Sequence, residues 1–196
     1  ICSGAAAMLG TAATTTAQMN DRAVPANVVT DSSGAVALTD KETQGNIINH
    51  TNGKIEIDFT DGGARDINIG SDVCVGNFDS PSADPAFKII NQPTDKLDID
   101  FTFTAATEYE ANATGGSALG FRFLNETTGN RKVLFLDDNV SAGDSVPICF
   151  KSSNNHALSP GDSIAVAVRL FTDGDDSDTN ENLSGVLNIK ATQLSS

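Results

Sequence analysis

The feature that most constrains this chain is a two-residue alternation of apolar and polar side chains in short runs. From Leu97 to Phe103, the apolar Leu97, Ile99, Phe101 and Phe103 alternate with Asp98, Asp100 and Thr102. From Lys54 to Phe59, Ile55, Ile57 and Phe59 alternate with Lys54, Glu56 and Asp58. Successive side chains of a strand point to opposite faces, so each run reads as a strand with one dry and one wet face. Runs of β-branched and aromatic residues also fall at Ala35–Leu38, Ala86–Asn91, Leu119–Leu124, Val133–Leu136, Val146–Phe150, Ile164–Phe171 and Gly185–Ala191, with Gly, Asn, Asp, Ser and Pro between them as turn formers. No segment has the period of an amphipathic helix. Strands of this length and number predict an all-β chain, a jelly-roll-like antiparallel β-sandwich.

One core is enough for 196 residues, because sandwiches often exceed the usual domain size. Ala, Val, Ile, Leu and ten Phe can fill it without any Trp. Neither an internal repeat nor a Pro- or Ser-rich linker divides the chain. The one break in composition falls before residue 20, so the expected organisation is an N-terminal extension, residues 1–19, and a single sandwich domain, residues 20–196.

Twelve basic and twenty-six acidic side chains leave a formal net charge of −14, which repels phosphate backbones and anionic headgroups and excludes a nucleic-acid partner. The chain opens at Ile1 with neither an initiator Met nor a basic leader, so removal of a leader and export are expected. No apolar run has the roughly 18 residues of a transmembrane helix. In an oxidising compartment two of Cys2, Cys74 and Cys149 should pair. A Cys74–Cys149 disulfide is the expected one, because both lie in strand-like stretches, "SDVCVGNF" and "SVPICF". Cys2 is then unpaired or bonded to another subunit.

Residues 1–19, "ICSGAAAMLGTAATTTAQM", carry no charge. As an extended strand they place Ile1, Ala5, Ala7, Leu9, Ala13, Ala17 and Met19 on one face, with Thr11 and Thr15 between. Small side chains suit a narrow groove, and an extended strip of this length spans on the order of 60 Å. Four readings compete: a donor strand completing a neighbouring subunit's sheet, a strand of its own sandwich, a flexible tail, and an uncleaved signal-peptide remnant. For the first, the candidate donor residues are Ala5, Ala7, Leu9, Ala13 and Ala17.

The order of segments carries a resemblance. An Ala/Gly-rich leader is followed by "AQMNDRAVPANVVTDSSGAVALT", "GKIEIDF" and "PAFKIINQPTDKLDIDFTFT", then by "LSPGDSIAVAVRLFT" and "LSGVLNIKAT". In pattern and order, across nearly the whole chain, this resembles the archaeal surface and pilus proteins related to TasA and camelysin. The resemblance implies a jelly-roll sandwich that polymerises by donor-strand complementation into extracellular fibres, including archaeal bundling pili and biofilm matrix filaments. In many relatives the hydrophobic leader before the "DR" segment looks like signal peptide, whereas here it belongs to the chain. That leaves the exact donor residues open.

Camelysin relatives have been classed as metallopeptidases, but this chain lacks an HExxH motif. Its two histidines, His50 and His156, read as exposed loop residues, and neither a G-x-S-x-G elbow nor a phosphate-binding glycine loop is present. The acidic run "DGDDSDTNE" offers Asp173, Asp175, Asp176, Asp178 and Glu181 as oxygen ligands. Calcium is therefore a possible ligand at Asp173, Asp175, Asp178 and Glu181, although the loop lacks the EF-hand glycine and a solvated hairpin tip explains it as well. No cofactor is required. Asn-x-Ser/Thr sequons at Asn49, Asn112, Asn125, Asn139 and Asn182 are candidate glycosylation sites for an exported chain.

The expected function is thus non-enzymatic: a structural subunit of an extracellular, cell-surface filament, either pilus or biofilm matrix fibre, whose partners are copies of itself and which supports adhesion and cell–cell cohesion. A type IV-like pilin would need a long aliphatic helix where this strip is rich in Thr and Gly, which are weak helix formers. The remaining alternatives are a monomeric cell-surface adhesin and a surface-layer or capsid-type jelly roll. An adhesin that binds carbohydrate should expose an aromatic platform, for which a single Tyr109 and no Trp offer little.

Overall fold

The computed structural model describes residues 12–17, 27–29, 36–40, 48–51, 54–57, 72–92, 94–107, 109, 117–137, 139–172, 183 and 185–194. They form thirteen strands: β1 (Ala12–Ala17), β2 (Asn27–Val29), β3 (Val36–Asp40), β4 (Ile48–Thr51), β5 (Lys54–Ile57), β6 (Asp72–Val75), β7 (Phe87–Asn91), β8 (Leu97–Ala105), β9 (Ala118–Asn125), β10 (Arg131–Leu136), β11 (Ser145–Phe150), β12 (Ser163–Phe171) and β13 (Gly185–Gln193). The only helical turn among these residues is a 3-10 turn at Ser152–Asn154. The expected strands are present, and the short β2 and β4 are additions that the alternation did not reveal.

One sheet has the order β1-β13-β8-β11 and a second the order β10-β9-β12-β7-β3, with β6 also on β12. All pairings are antiparallel. The chain switches sheets at β7 to β8, β8 to β9, β10 to β11, β11 to β12 and β12 to β13. Four strands, β1-β13-β8-β11, thus face four others, β7-β12-β9-β10, which is the strand order of a jelly roll. Strand β3 widens the second sheet, and β2-β5-β4 form a small third sheet.

Between the two sheets lies the core. On β8, Leu97, Ile99, Phe101, Phe103 and Ala105 are buried and alternate with half-buried residues, as the period predicts. Phe101 meets Phe123 of β9 across the sandwich with ring centroids 4.4 Å apart, and Phe103 meets Phe121 at 6.2 Å. Phe150 of β11 stands edge-on to Phe101 at 6.0 Å. Each such side chain contributes about 1.5–3 kcal/mol by leaving water. Strand β12, central in its sheet, is buried continuously from Ile164 to Val168, the signature of a strand covered on both faces.

One edge of β12 is paired in an unusual way. Strand β6 pairs with Val168–Phe171 and β7 with Ser163–Val166, both along one edge of β12. They are one interrupted strand, and residues 76–86 leave the sheet between them. Gly76 begins the excursion at φ +74°, where a Cβ would sit 2.5 Å from the Ala86 nitrogen, so only glycine fits. The Asn77 Oδ1 accepts hydrogen bonds from the amides of Asp79 and Ser80, a local turn that asparagine makes readily. Ala86 N–H then returns the chain to β12 by donating to the Val166 carbonyl at 2.7 Å.

Candidate functional site

Part of the uncharged strip has a defined place in this fold. Residues 12–17 are β1 and pair with β13 of the same chain, Ala13 opposite Ile189, Thr15 opposite Leu187 and Ala17 opposite Gly185. Gly185, Leu187 and Ile189 are buried. In this register Ala13, Thr15 and Ala17 are the positions directly opposite those three buried residues. The other edge of β13 is fully paired with β8, from Gly185 opposite Ala105 to Gln193 opposite Leu97. Without β1, residues 185–190 would be an open edge above the core.

Along this seam Ala13 and Thr15 stand opposite the larger Ile189 and Leu187, and Ala17 opposite Gly185. At its end, Gly185 lies so close to Phe103 that a Cβ would come 2.1 Å from the ring Cζ and 2.6 Å from the Thr104 carbonyl oxygen. Of the expected donor residues, Ala13 and Ala17 are in β1, whereas Ala5, Ala7 and Leu9 lie outside the described residues. Cys2 and the candidate calcium ligands Asp173, Asp175, Asp178 and Glu181 do too. Among the described residues no group of three or more His, Cys, Asp or Glu side chains could hold a metal ion.

The expected disulfide is not formed: Cys74 and Cys149 are both free thiols. Cys74 alternates on β6 with Val73 and Val75, and Cys149 on β11 with Ile148 and Phe150; these four neighbours pack into the core. Each cysteine therefore faces outward, and the two strands belong to opposite sheets. The alternation that marks both stretches as strands also carries this parity, which places the two thiols on opposite outer faces.

Each thiol sits beside an ion pair. Around Cys74, Arg169 grips Asp72 with a two-pronged bond, Nε to Oδ1 at 2.7 Å and Nη2 to Oδ2 at 2.6 Å. That bond holds the Asp72 carboxyl below its usual pKa, against a smaller opposing effect of burial. Burial first, and then the Asp72 charge, push the Cys74 thiol up. On the other face, Lys151 Nζ lies 3.1 Å from Asp100 Oδ1 in a depression of about 620 Å³ also lined by Thr102, Pro147, Cys149, Asn188 and Lys190. Burial acts to raise the Asp100 pKa, but hydrogen bonds from Cys149 and Lys151 outweigh it and leave the carboxyl lowered. Burial and the bond to Asp100 raise the Cys149 thiol.

Two further expectations change. Asn125 is wholly buried, and its Oδ1 accepts hydrogen bonds from the amides of Thr127 and Thr128 at 3.1 and 3.0 Å. It closes the β9–β10 turn and offers no room for a glycan in the folded chain. Asn139 is exposed in a turn; Asn49 is in β4, and Asn112 and Asn182 lie outside the described residues. The histidine expectation changes as well. His50 is in β4, and His156 is half-buried with its ring 6.4 Å from that of Phe150.

The alternation in "RKVLFL" carries a further signal. With Leu134 and Leu136 inward, Val133 and Phe135 must point out. They and Phe171 are the large apolar side chains left exposed among the described residues.

No known family model matches the chain, and no curated protein does. Among solved structures the chain is similar to Clostridium thermocellum endo-1,4-β-D-xylanase 10B, in its CBM22-1 and GH10 modules complexed with xylohexaose, at 13% sequence identity and a TM-score of 0.22. The match covers 92% of this chain and 26% of that one, so the chain spans about a quarter of the protein it matches. So loose an overlap carries no argument; fold class here rests on the strand order.

Proposed function

We propose that this protein is a structural subunit of an extracellular filament, a pilus or biofilm matrix fibre of the kind found among archaeal surface proteins related to TasA and camelysin, in which neighbouring copies are joined by strand exchange. The observation that carries the reading is the position of β1. The first strand of the jelly roll comes from an uncharged N-terminal strip, lies at a sheet edge, and registers its odd-numbered positions opposite the buried Gly185, Leu187 and Ile189. A neighbour's strip in the same register would make the same backbone hydrogen bonds and fill the same seam, so exchanging one for the other changes little in free energy per contact. Adhesion and cell–cell cohesion follow from a fibre so built, and no catalytic chemistry is needed.

The test is to delete residues 1–16 and compare products by electron microscopy and size exclusion. Loss of filaments is expected. Filaments from the deleted chain would contradict the reading. One observation favours a second reading, a monomeric cell-surface adhesin or surface-layer subunit: β1 pairs within its own chain, and a self-completed sandwich needs no neighbour. A full-length protein that stays monomeric at every concentration would favour it.

A further inference from the structure

The three exposed large apolar side chains, Val133 at 40%, Phe135 at 50% and Phe171 at 36% exposure, all lie on one surface, the outer face of β10-β9-β12-β6. Register places them there. Phe135 is opposite Gly120, Gly120 opposite Arg169, and Arg169 opposite Cys74. One row thus crosses four strands. Phe171 lies between Ala118 and Asp72 in the next row, and Val133 is opposite Arg122 on the other side.

The excursion of residues 76–86 folds over this face. Its Phe78 meets Phe135 with ring centroids 6.0 Å apart above Gly120, where a Cβ would come 2.9 Å from Phe135 Cε1 and 3.2 Å from Phe78 Cζ. The absent side chain lets both rings converge. The Arg122 guanidinium lies 4.4 Å from the Phe78 ring centre and donates to Asp79 at 3.1 Å. Arg169, gripped by Asp72, has its guanidinium carbon 5.9 Å from the Phe171 ring centre. Beside these rings is an open depression of about 450 Å³ lined by Asp72, Asn77, Phe78, Asp79, Asp84 and Arg169.

We infer that this depression, together with the exposed Phe135 and Phe171 rings on the same face, binds a neutral saccharide. Planar carboxylate, amide and guanidinium groups match adjacent hydroxyls of a sugar ring, accepting and donating in one plane. Asp72 is already held by the two-pronged bond from Arg169, so its geometry is set before a ligand arrives and less ordering is lost on binding. Phe135 and Phe171 offer apolar ring surface to the C–H faces of sugars, which a surface with only charged groups would not. The volume is in the range of small-ligand sites, roughly 300–1,000 Å³.

Other ligand classes fit poorly. Asp72, Asp79 and Asp84 repel phosphates and uronates, and among the described residues no three ligating side chains converge on a metal. Charged walls disfavour a lipid chain. The site is on the opposite sheet from the β1–β13 seam, so it does not depend on whether copies exchange strands.

The test uses the full chain and three neutral probes, the β-1,4-glucose, β-1,3-glucose and α-1,6-mannose hexasaccharides, with an oligogalacturonate as the charged control. Binding is read by saturation-transfer NMR and calorimetry. At least one neutral probe is expected to bind, with Phe135→Ala and Asp72→Asn each weakening it by about tenfold or more and Lys190→Ala, on the other face, leaving it unchanged. Unaltered circular dichroism of each variant ensures that the loss reports the site. No binding by any neutral probe overturns the inference. So does binding unaffected by Phe135→Ala, binding of the oligogalacturonate as tight as that of a neutral probe, or a face that instead drives self-association in sedimentation and loses it in Phe135→Ala.

Discussion

The Cys74 and Cys149 side chains leave the sandwich through opposite outer faces, one from β6 and the other from β11. Packed sheets stand about 10 Å apart, already beyond the Cα separation of about 7 Å that a disulfide tolerates. In a Cys2→Ser protein, native mass spectrometry after alkylation should find both thiols modified. Burial raises both thiol pKa values, so the thiolate is scarce near neutrality and modification should speed up as pH passes above the usual thiol range. Two thiols protected at every pH would restore the disulfide.

The Phe101–Phe123 contact joins the sheets with ring centroids 4.4 Å apart, the shortest aromatic distance among the described residues. Replacing Phe123 by Ala removes the contact and leaves a cavity among rings that cannot collapse. The expected loss is about 3–5 kcal/mol, read from the midpoint of urea unfolding. A loss below about 1 kcal/mol would mean that the two sheets are not packed through this pair.

Gly185 tests the seam from the acceptor side. A Cβ there meets both the Phe103 ring and the Thr104 carbonyl, and the backbone carbonyl cannot rotate away as a side chain could. Gly185→Ala should therefore cost about 1–3 kcal/mol in thermal unfolding, and should loosen the end of the seam where Ala17 pairs. A neutral effect would show that β13 does not approach β8 as described.

The Asp72–Arg169 pair makes stability depend on pH in a definite direction. Arg169 lowers the Asp72 pKa in the fold, so its contribution is complete above the unfolded carboxyl value, about 3.9, and disappears as pH falls through the lower folded value. Both side chains are more than a third exposed, so solvent screening limits the pair to about 0.2–1 kcal/mol. Arg169→Met should be less stable than wild type by that amount at neutral pH and equal to it in strong acid. A difference that grows on acidification would reverse the assignment.

What the chain declares about itself depends on whether a signal is local. The β8 strand was legible residue by residue, because its alternation from Leu97 onward is the same periodicity that buries one of its faces. The β6–β7 interruption was not, since nothing near Gly76 says that two segments eleven residues apart share one edge of β12. The seam was half legible: the uncharged strip announced a groove, but its partner β13 lies more than 150 residues away, and pairing at that distance leaves no mark in either segment. The outer aromatic face was written in the parity of Val133 and Phe135 against Leu134 and Leu136, and the cysteines in the parity of their valine, isoleucine and phenylalanine neighbours. In both cases the period that marks a strand also fixes the face each residue takes.

Strand exchange is tested most directly at two residues that pair across the seam, Thr14 and Asn188. In a chain whose native cysteines are replaced by Ser, Thr14→Cys with Asn188→Cys should oxidise across β1 and β13 wherever that pairing occurs. Non-reducing electrophoresis of the assembled material then separates the two cases. The account predicts a ladder of covalent multimers that reductant collapses to one band. Crosslinked monomer alone, from material that is visibly filamentous, would show each strand bound to its own chain and would contradict it.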